Sequence, residues 1–161
     1  MRKGYKIGDI VLLFIPAIII AFLLNFVFLI TTVESGSMEP ALMTGNIVVY
    51  NRLAYKNRDI QRGDIIAFKE ETTKNLIGKR VIGIEGDSIA FKDGYVILNG
   101  KIVDETDYIN EDIETNCIKT FEVPKGHIFV LGDNRENSID SRFWENPYVS
   151  VNHVAGRLLL K

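Results

Sequence analysis

Glu34-Ser35-Gly36-Ser37-Met38-Glu39-Pro40-Ala41-Leu42 places two serines on either side of a glycine, directly after a long uncharged apolar run. Glycine lets the backbone bend sharply, and proline fixes the direction in which the chain leaves. An exposed serine hydroxyl in such a setting is a candidate nucleophile for a carbonyl. Serine attacks only if a neighbouring base takes its proton, so the next question is which base the chain supplies.

His127 and His153 are the only histidines. A Ser-His-Asp triad with Asp140 is formally open, because triads are defined by geometry and not by order. Neither histidine stands in a distinctive motif, and the chain has no G-x-S-x-G or S-x-x-K sequence. Lysine is the other choice. Lys79-Arg80 lies between Leu76-Ile77-Gly78 and Val81-Ile82-Gly83-Ile84. Alternation in a strand sends the two cations to opposite faces. Burial of Lys79, helped by a nearby cation such as Arg80, disfavours the ammonium and makes the amine a base near neutral pH. A third stretch, Gly132-Asp133-Asn134-Arg135-Glu136-Asn137-Ser138-Ile139-Asp140-Ser141-Arg142, is rich in turn-forming polar residues. In it Ser138 is placed to hold a lysine amine, and Asp140 with Arg142 to brace the loop as an ion pair. Taken singly, each stretch also has an ordinary reading: a small-residue loop, an exposed strand charge, a polar connection.

The elements that must position these residues follow from hydropathy and turn signals. From Ile10 to Val33 no residue carries a formal charge, which exceeds the ~20 residues a helix needs to cross the hydrocarbon core. The run predicts one transmembrane helix over 10–33, with residues 1–9 before it and a β domain over 34–161. Pro16 and Asn25 are tolerable in a spanning helix. A cleaved signal peptide is the competing reading, but its apolar stretch is usually shorter, about 7 to 15 residues. Arg2, Lys3 and Lys6 precede the run, so the positive-inside rule predicts a cytoplasmic N-terminus and an extracytoplasmic domain. Only residues 34–36 separate Val33 from Ser37, ~10 Å of extended chain, which puts the nucleophile at the outer membrane interface.

Beyond the run, branched and aromatic segments alternate with turn residues. Strands are predicted over 46–53, 64–68, 76–84, 88–92, 95–98, 101–103, 121–123, 127–131 and 154–160. Asp93-Gly94 and Asn99-Gly100 are two-residue hairpin signals. The domain is therefore read as all-β, with partial barrel or sandwich closure protecting the sheet edges. Residues 104–114 hold six acidic and no basic side chains, and are read as a solvated loop without chemistry. Cys117 is the single cysteine of a chain of net charge -2. No intrachain disulfide or cysteine-based zinc site can form, and nothing in the charge suggests a nucleic-acid partner.

Together and in this order, the boxes Ser35 to Pro40, Gly63 to Phe68, Lys79 to Asp87 and Gly132 to Arg142 resemble the type I signal peptidases, the bacterial leader peptidases. The resemblance spans almost the whole chain. The short stretch between Lys92 and Pro124 is similar to the compact, single-span Gram-positive form, while Ala41, Glu136 and Glu145 depart from residues frequent at those positions. The resemblance implies a mostly β fold of coiled antiparallel sheets with a partial barrel behind one N-terminal span. It implies Ser37 as nucleophile, Lys79 as general base, Ser138 holding the lysine, and Ser35 with the Ser37 N–H as oxyanion-hole donors. Arg80, Asp140 and Arg142 are supporting residues, and shallow pockets for small substrate residues are assigned to Met38, Ile47 and Val49. No cofactor or metal is expected. The implied partners are preprotein signal peptides, the lipid bilayer and a secretion translocon, and the implied location is the bacterial cell membrane. A membrane-tethered β module that binds without cutting is the alternative outside the enzymes. Self-cleaving repressor peptidases share the Ser-Lys logic, but carry a DNA-binding segment and no anchor.

Overall fold

The computed structural model describes residues 7–70, 73–109 and 113–161, with the side chains of 7–11 and 13 excluded. The charges behind the predicted orientation, Arg2, Lys3 and Lys6, lie outside the described residues. Helix α1 runs Ile7–Val27 and strand β1 follows at once, Phe28–Thr32. Among the described residues no helix is long and apolar enough to cross a membrane. The expected helix over 10–33 is thus corrected at its far end. Phe28 to Thr32 pair antiparallel with Asn51 to Ile47 of β2 (Ile47–Asn51), because a branched apolar segment beside an open sheet edge gains cross-strand partners that a helix would forgo. The junction is clamped: the Arg52 N–H donates to the Val27 carbonyl at 2.8 Å.

The remaining strands are β3 (Ile65–Lys69), β4 (Leu76–Gly83), β5 (Ser88–Lys92), β6 (Tyr95–Leu98), β7 (Lys101–Ile102), β8 (Phe121–Glu122), β9 (His127–Leu131), β10 (Val149–Ser150) and β11 (Val154–Leu160). Of the eleven strands, seven form a curled antiparallel half-barrel in the order β1-β2-β11-β3-β4-β9-β10, and four form a smaller sheet, β7-β6-β5-β8. Both hairpin signals fold as turns with positive φ, at Asp93 (52°) and Gly94 (82°), and at Asn99 (52°) and Gly100 (79°).

Alternation along β4 and β9 divides the core. Val81, Ile128 and Val130 pack with Ile66 and Phe68 on one face, whereas Ile82, Phe129 and Leu131 pack with Ile89, Val96 and Phe121 of the smaller sheet on the other. A third cluster, Met38, Leu42, Val48, Tyr50 and Ala67, sits beneath the serine stretch. The acidic stretch is more than a solvated loop. Glu105 pairs with the fully buried Arg135 at 2.6 Å, and the Tyr108 ring lies 3.9 Å under the Arg80 guanidinium. Two buried cations need partners, and this stretch supplies them.

Candidate active site

Gly36–Met38 forms a single 3-10 turn, entered from an extended Ser35. Met38 and Leu42 are buried on either side of the bend, and the Leu42 N–H donates to the Met38 carbonyl at 2.8 Å. These two apolar anchors hold the turn against the sheet while the half-buried Ser37 faces an open cleft of about 350 Å³. The polar loop clasps the turn from the other side. Asn134 donates from its backbone to the Ser37 carbonyl at 3.2 Å and from Nδ2 to the Gly36 carbonyl at 3.1 Å. Gly132 permits that approach, because a Cβ there would fall on the Ser138 side chain and the Ser37 carbonyl.

Lys79 reaches the same point from β4. Its neighbours across and along the sheet, Ile66 and Val81, are fully buried, and Lys79 itself is 3% exposed. Nζ stands 2.7 Å from Ser37 Oγ and 3.0 Å from Ser138 Oγ. Burial pushes the amine down to about 8; Asp140 opposes that shift and Arg142 adds to it. Removing an ammonium from water without a paired carboxylate disfavours its charged form.

The carboxylates nearest the lysine are already taken. Asp140, fully buried, receives Arg142 on both oxygens at 2.8 and 2.9 Å, and its Oδ2 also accepts the Gly132 N–H at 3.0 Å. Arg80 grips Asp133 at 2.7 and 2.6 Å. Arg142 continues to the Arg135 carbonyl at 2.7 Å, so the loop is stitched to itself before it touches the serine turn.

The structure therefore brings Ser35, Ser37, Lys79, Ser138, Asp140 and Arg142 into one neighbourhood, with Arg80 behind it. Ser35 is exposed, and its Oγ lies 3.4 Å from Ser37 Oγ. The histidines are elsewhere: His127 holds the Lys125 carbonyl at 2.9 Å and His153 borders a separate depression beside Trp144. Asp140, the third member of a possible triad, is committed to Arg142.

The pocket assignment needs correction. Met38 lines the cleft, but Ile47 and Val49 do not. Ile47 is 67% exposed, whereas Val48 and Tyr50 are buried and line the cleft in their place. A strand read one residue out of phase turns every side chain to the wrong face. Sequence reasoning also passed over Asp133, Arg135, Glu105 and Gly132. The Gly132-Asp133-Asn134-Arg135 sequence at the head of the third polar stretch, a glycine followed by two opposite charges one residue apart, was the available sign for three of them; nothing local marks Glu105.

Comparison with known proteins places the fold and the sequence together. Residues 7–161 match the family described as signal peptidase, peptidase S26. The signal peptidase I of Bacillus caldolyticus is 38% identical over 161 residues, covering 90% of this chain and 85% of that protein. Signal peptidase IB of Staphylococcus aureus is 34% identical over 149 residues, 80% of this chain and 78% of the relative. The crystal structure of a signal peptidase I from Enterococcus faecalis superposes with a TM-score of 0.54 at 30% identity, covering 63% of this chain and 98% of the other. The chain belongs to the signal peptidase, peptidase S26 family, and by that membership is a hydrolase of the serine peptidase class.

Proposed function

We propose that this protein removes N-terminal signal peptides from exported preproteins, with Ser37 as nucleophile and Lys79 as general base. The observation that carries the reading is the 2.7 Å approach of a buried lysine amine to a hydroxyl that opens on a cleft. The neutral amine, oriented by its N–H to Ser138 Oγ, takes the Ser37 proton as Oγ attacks the carbonyl at the cleavage site. The tetrahedral oxyanion forms against the Ser37 N–H and the Ser35 hydroxyl. Collapse expels the new amino terminus of the mature protein, protonated by the lysine, and leaves an acyl-enzyme on Ser37. Water activated by the same lysine then releases the signal peptide.

The cleft suits an extended chain. β4 pairs with β3 over Leu76 to Arg80, but its bonds to β9 begin only at Arg80. The other edge from Leu76 to Lys79 is therefore available for an added strand, the recurring way a sheet edge takes a peptide.

Membrane attachment belongs to the same proposal. Apart from Asn25, whose Nδ2 donates to the Ala21 carbonyl at 3.0 Å, the side chains of α1 from Phe14 to Phe26 are apolar and exposed, with Ile18 65% and Phe22 71% accessible. A surface of that kind fits a bilayer, with the N-terminus cytoplasmic and the catalytic domain outside, in reach of preproteins leaving a translocon.

The deciding experiment incubates the detergent-solubilised chain with a preprotein beside Ser37→Ala. Wild type is expected to yield the mature product and Ser37→Ala none. Product from neither would favour a module that binds without cutting, and product from both would remove Ser37 from the chemistry.

A further inference from the structure

Asn134 is the residue by which the polar loop holds the serine turn, through its N–H to the Ser37 carbonyl and its Nδ2 to the Gly36 carbonyl. The residues on either side of it, Asp133 and Arg135, are buried and reach partners outside the loop. Arg80 takes both oxygens of Asp133. Arg135 is taken by Glu105, whose two oxygens lie 2.8 and 2.6 Å from its terminal nitrogens, and it donates to the Thr115 hydroxyl at 2.6 Å.

Both partners lead back to one turn of chain. The Tyr108 and Ile109 N–H groups donate to the Glu105 carbonyl at 3.1 and 2.9 Å, a single turn closed on itself. Asp104, Thr106 and Asp107 face solvent, Ile109 is buried, and Glu105 and Tyr108 are half-buried. The Tyr108 hydroxyl donates to Glu105 Oε1 at 2.8 Å, while its ring lies under the Arg80 guanidinium. Burial pushes that phenol up and the Glu105 charge adds to the shift, so it keeps the proton it donates. Thr115, farther along the same stretch, is tied by its N–H to the Gly94 carbonyl of the β5–β6 hairpin at 2.7 Å. Both neighbours of Asn134 are thereby fixed from one turn, which stands outside the cleft: neither Glu105 nor Tyr108 lines it. The charges that act on Lys79 are those of Asp140, Arg142, Asp133 and Glu70.

We propose that Glu105 is a positioning residue for the reaction. Through Arg135 it sets where Asn134 holds the serine turn, and so where Ser37 Oγ stands relative to Lys79 Nζ. Tyr108 is the second arm of the same clamp, acting through Arg80 and Asp133. The Arg135 and Glu105 side chains are 0% and 12% exposed, and a guanidinium that meets a carboxylate through two parallel bonds fixes direction as well as distance. The inference rests on the reading of Ser37 and Lys79 as the reacting pair.

The test follows preprotein cleavage by the full chain in detergent, at a temperature where circular dichroism shows each variant folded. Glu105→Gln keeps the side chain's shape but leaves the Arg135 cation without its carboxylate. Its kcat is expected to fall by about 10²-fold with KM kept within about threefold, the signature of misplaced reacting groups. Its Tm should fall as well, so a second variant separates the two losses. Glu105→Gln with Arg135→Met removes the uncompensated buried charge, which is the costly part of a broken pair, but does not restore the tie. Its Tm is expected to rise above that of Glu105→Gln while kcat stays about 10²-fold down. A double variant that regains wild-type kcat overturns the proposal, because stability alone would then account for the loss. Glu105→Gln with wild-type kcat overturns it too, as does a loss carried by KM alone. Failure of the underlying reading looks different: wild type would cleave no preprotein, or Ser37→Ala would cleave it as fast.

Discussion

Lys79 and Arg80 are chain neighbours with opposite fates: Arg80 is held by both oxygens of Asp133, whereas no described carboxylate pairs with Lys79. Asp133 and Asp140 both favour the lysine's charged form, but each is engaged by an arginine, Asp140 by Arg142. The two arginines thus keep the site's carboxylates from capturing the ammonium. Burial is left to dominate, and the amine is available as a base.

The rate should therefore rise with pH as Lys79 loses its proton. An acid limb in kcat/KM with its midpoint at about 8, levelling above it, is the expected profile. A midpoint near ~10.4 would be that of an unperturbed lysine and would remove the structural basis for the assignment.

Opposite shifts are expected from the two halves of the Asp140–Arg142 pair. Arg142→Met frees Asp140 to stabilise the ammonium and should move the acid limb to higher pH; Asp140→Asn leaves the guanidinium alone and should move it lower. Each also leaves a buried charge without its partner, a loss of ~3–5 kcal/mol. For a domain of this size that is a Tm lower by ~10–20 °C. Thermal melts beside pH–rate profiles separate the two effects, and shifts in the same direction would contradict the electrostatic account.

Lys79→Met should abolish turnover and raise stability. The lysine's folded value lies below its ordinary 10.5, so the unfolded chain binds the proton more tightly between about 8 and 10.5. The cost of burying the lysine is full below that window, shrinks as pH rises through it, and vanishes above. Denaturant melts should show Lys79→Met more stable than wild type by up to ~3 kcal/mol at pH 7, with the gap closing by pH 10.5. A gap independent of pH would point to packing instead.

Gly132→Ala is expected to fold and to work poorly. Its methyl would occupy the space of the Ser138 side chain and the Ser37 carbonyl, pushing the polar loop off the serine turn. A displacement near 1 Å of catalytic groups costs ~10²-fold. Measured kcat should fall by about that factor while circular dichroism is unchanged; full activity would mean that the loop yields elsewhere.

Strands β2 to β9 and β11, both tight hairpins and the residues now gathered around Ser37 were legible because their signals are local: alternation, Asp-Gly and Asn-Gly turns, and polar residues in short ordered boxes; the two-residue β10 (Val149–Ser150) was too short to leave such a signal. The end of α1 was not legible. Phe28 to Thr32 continue the uncharged run of the helix before them, and pairing with the β2 edge decides that they become a strand. The phase of β2 was misread for the same reason, since Ile47 and Val49 are as apolar as Val48, and which pair faces inward is fixed by Met38, Leu42 and Ala67 from distant parts of the chain. Glu105 and Tyr108 were dismissed as solvent-facing because their partners, Arg135 and Arg80, lie 30 and 28 positions away.

The direct passage from α1 into β1 has a mechanical meaning. A domain hung on a loose linker would turn freely about the helix that precedes it. Here the helix becomes the edge strand of the half-barrel without an intervening residue, and the Arg52 N–H bolts the seam at the Val27 carbonyl. β2 turns back along β1 to support the floor of the cleft, so torque on the helix is passed through the sheet to the ground under Tyr50. The cleft therefore keeps a fixed bearing relative to α1.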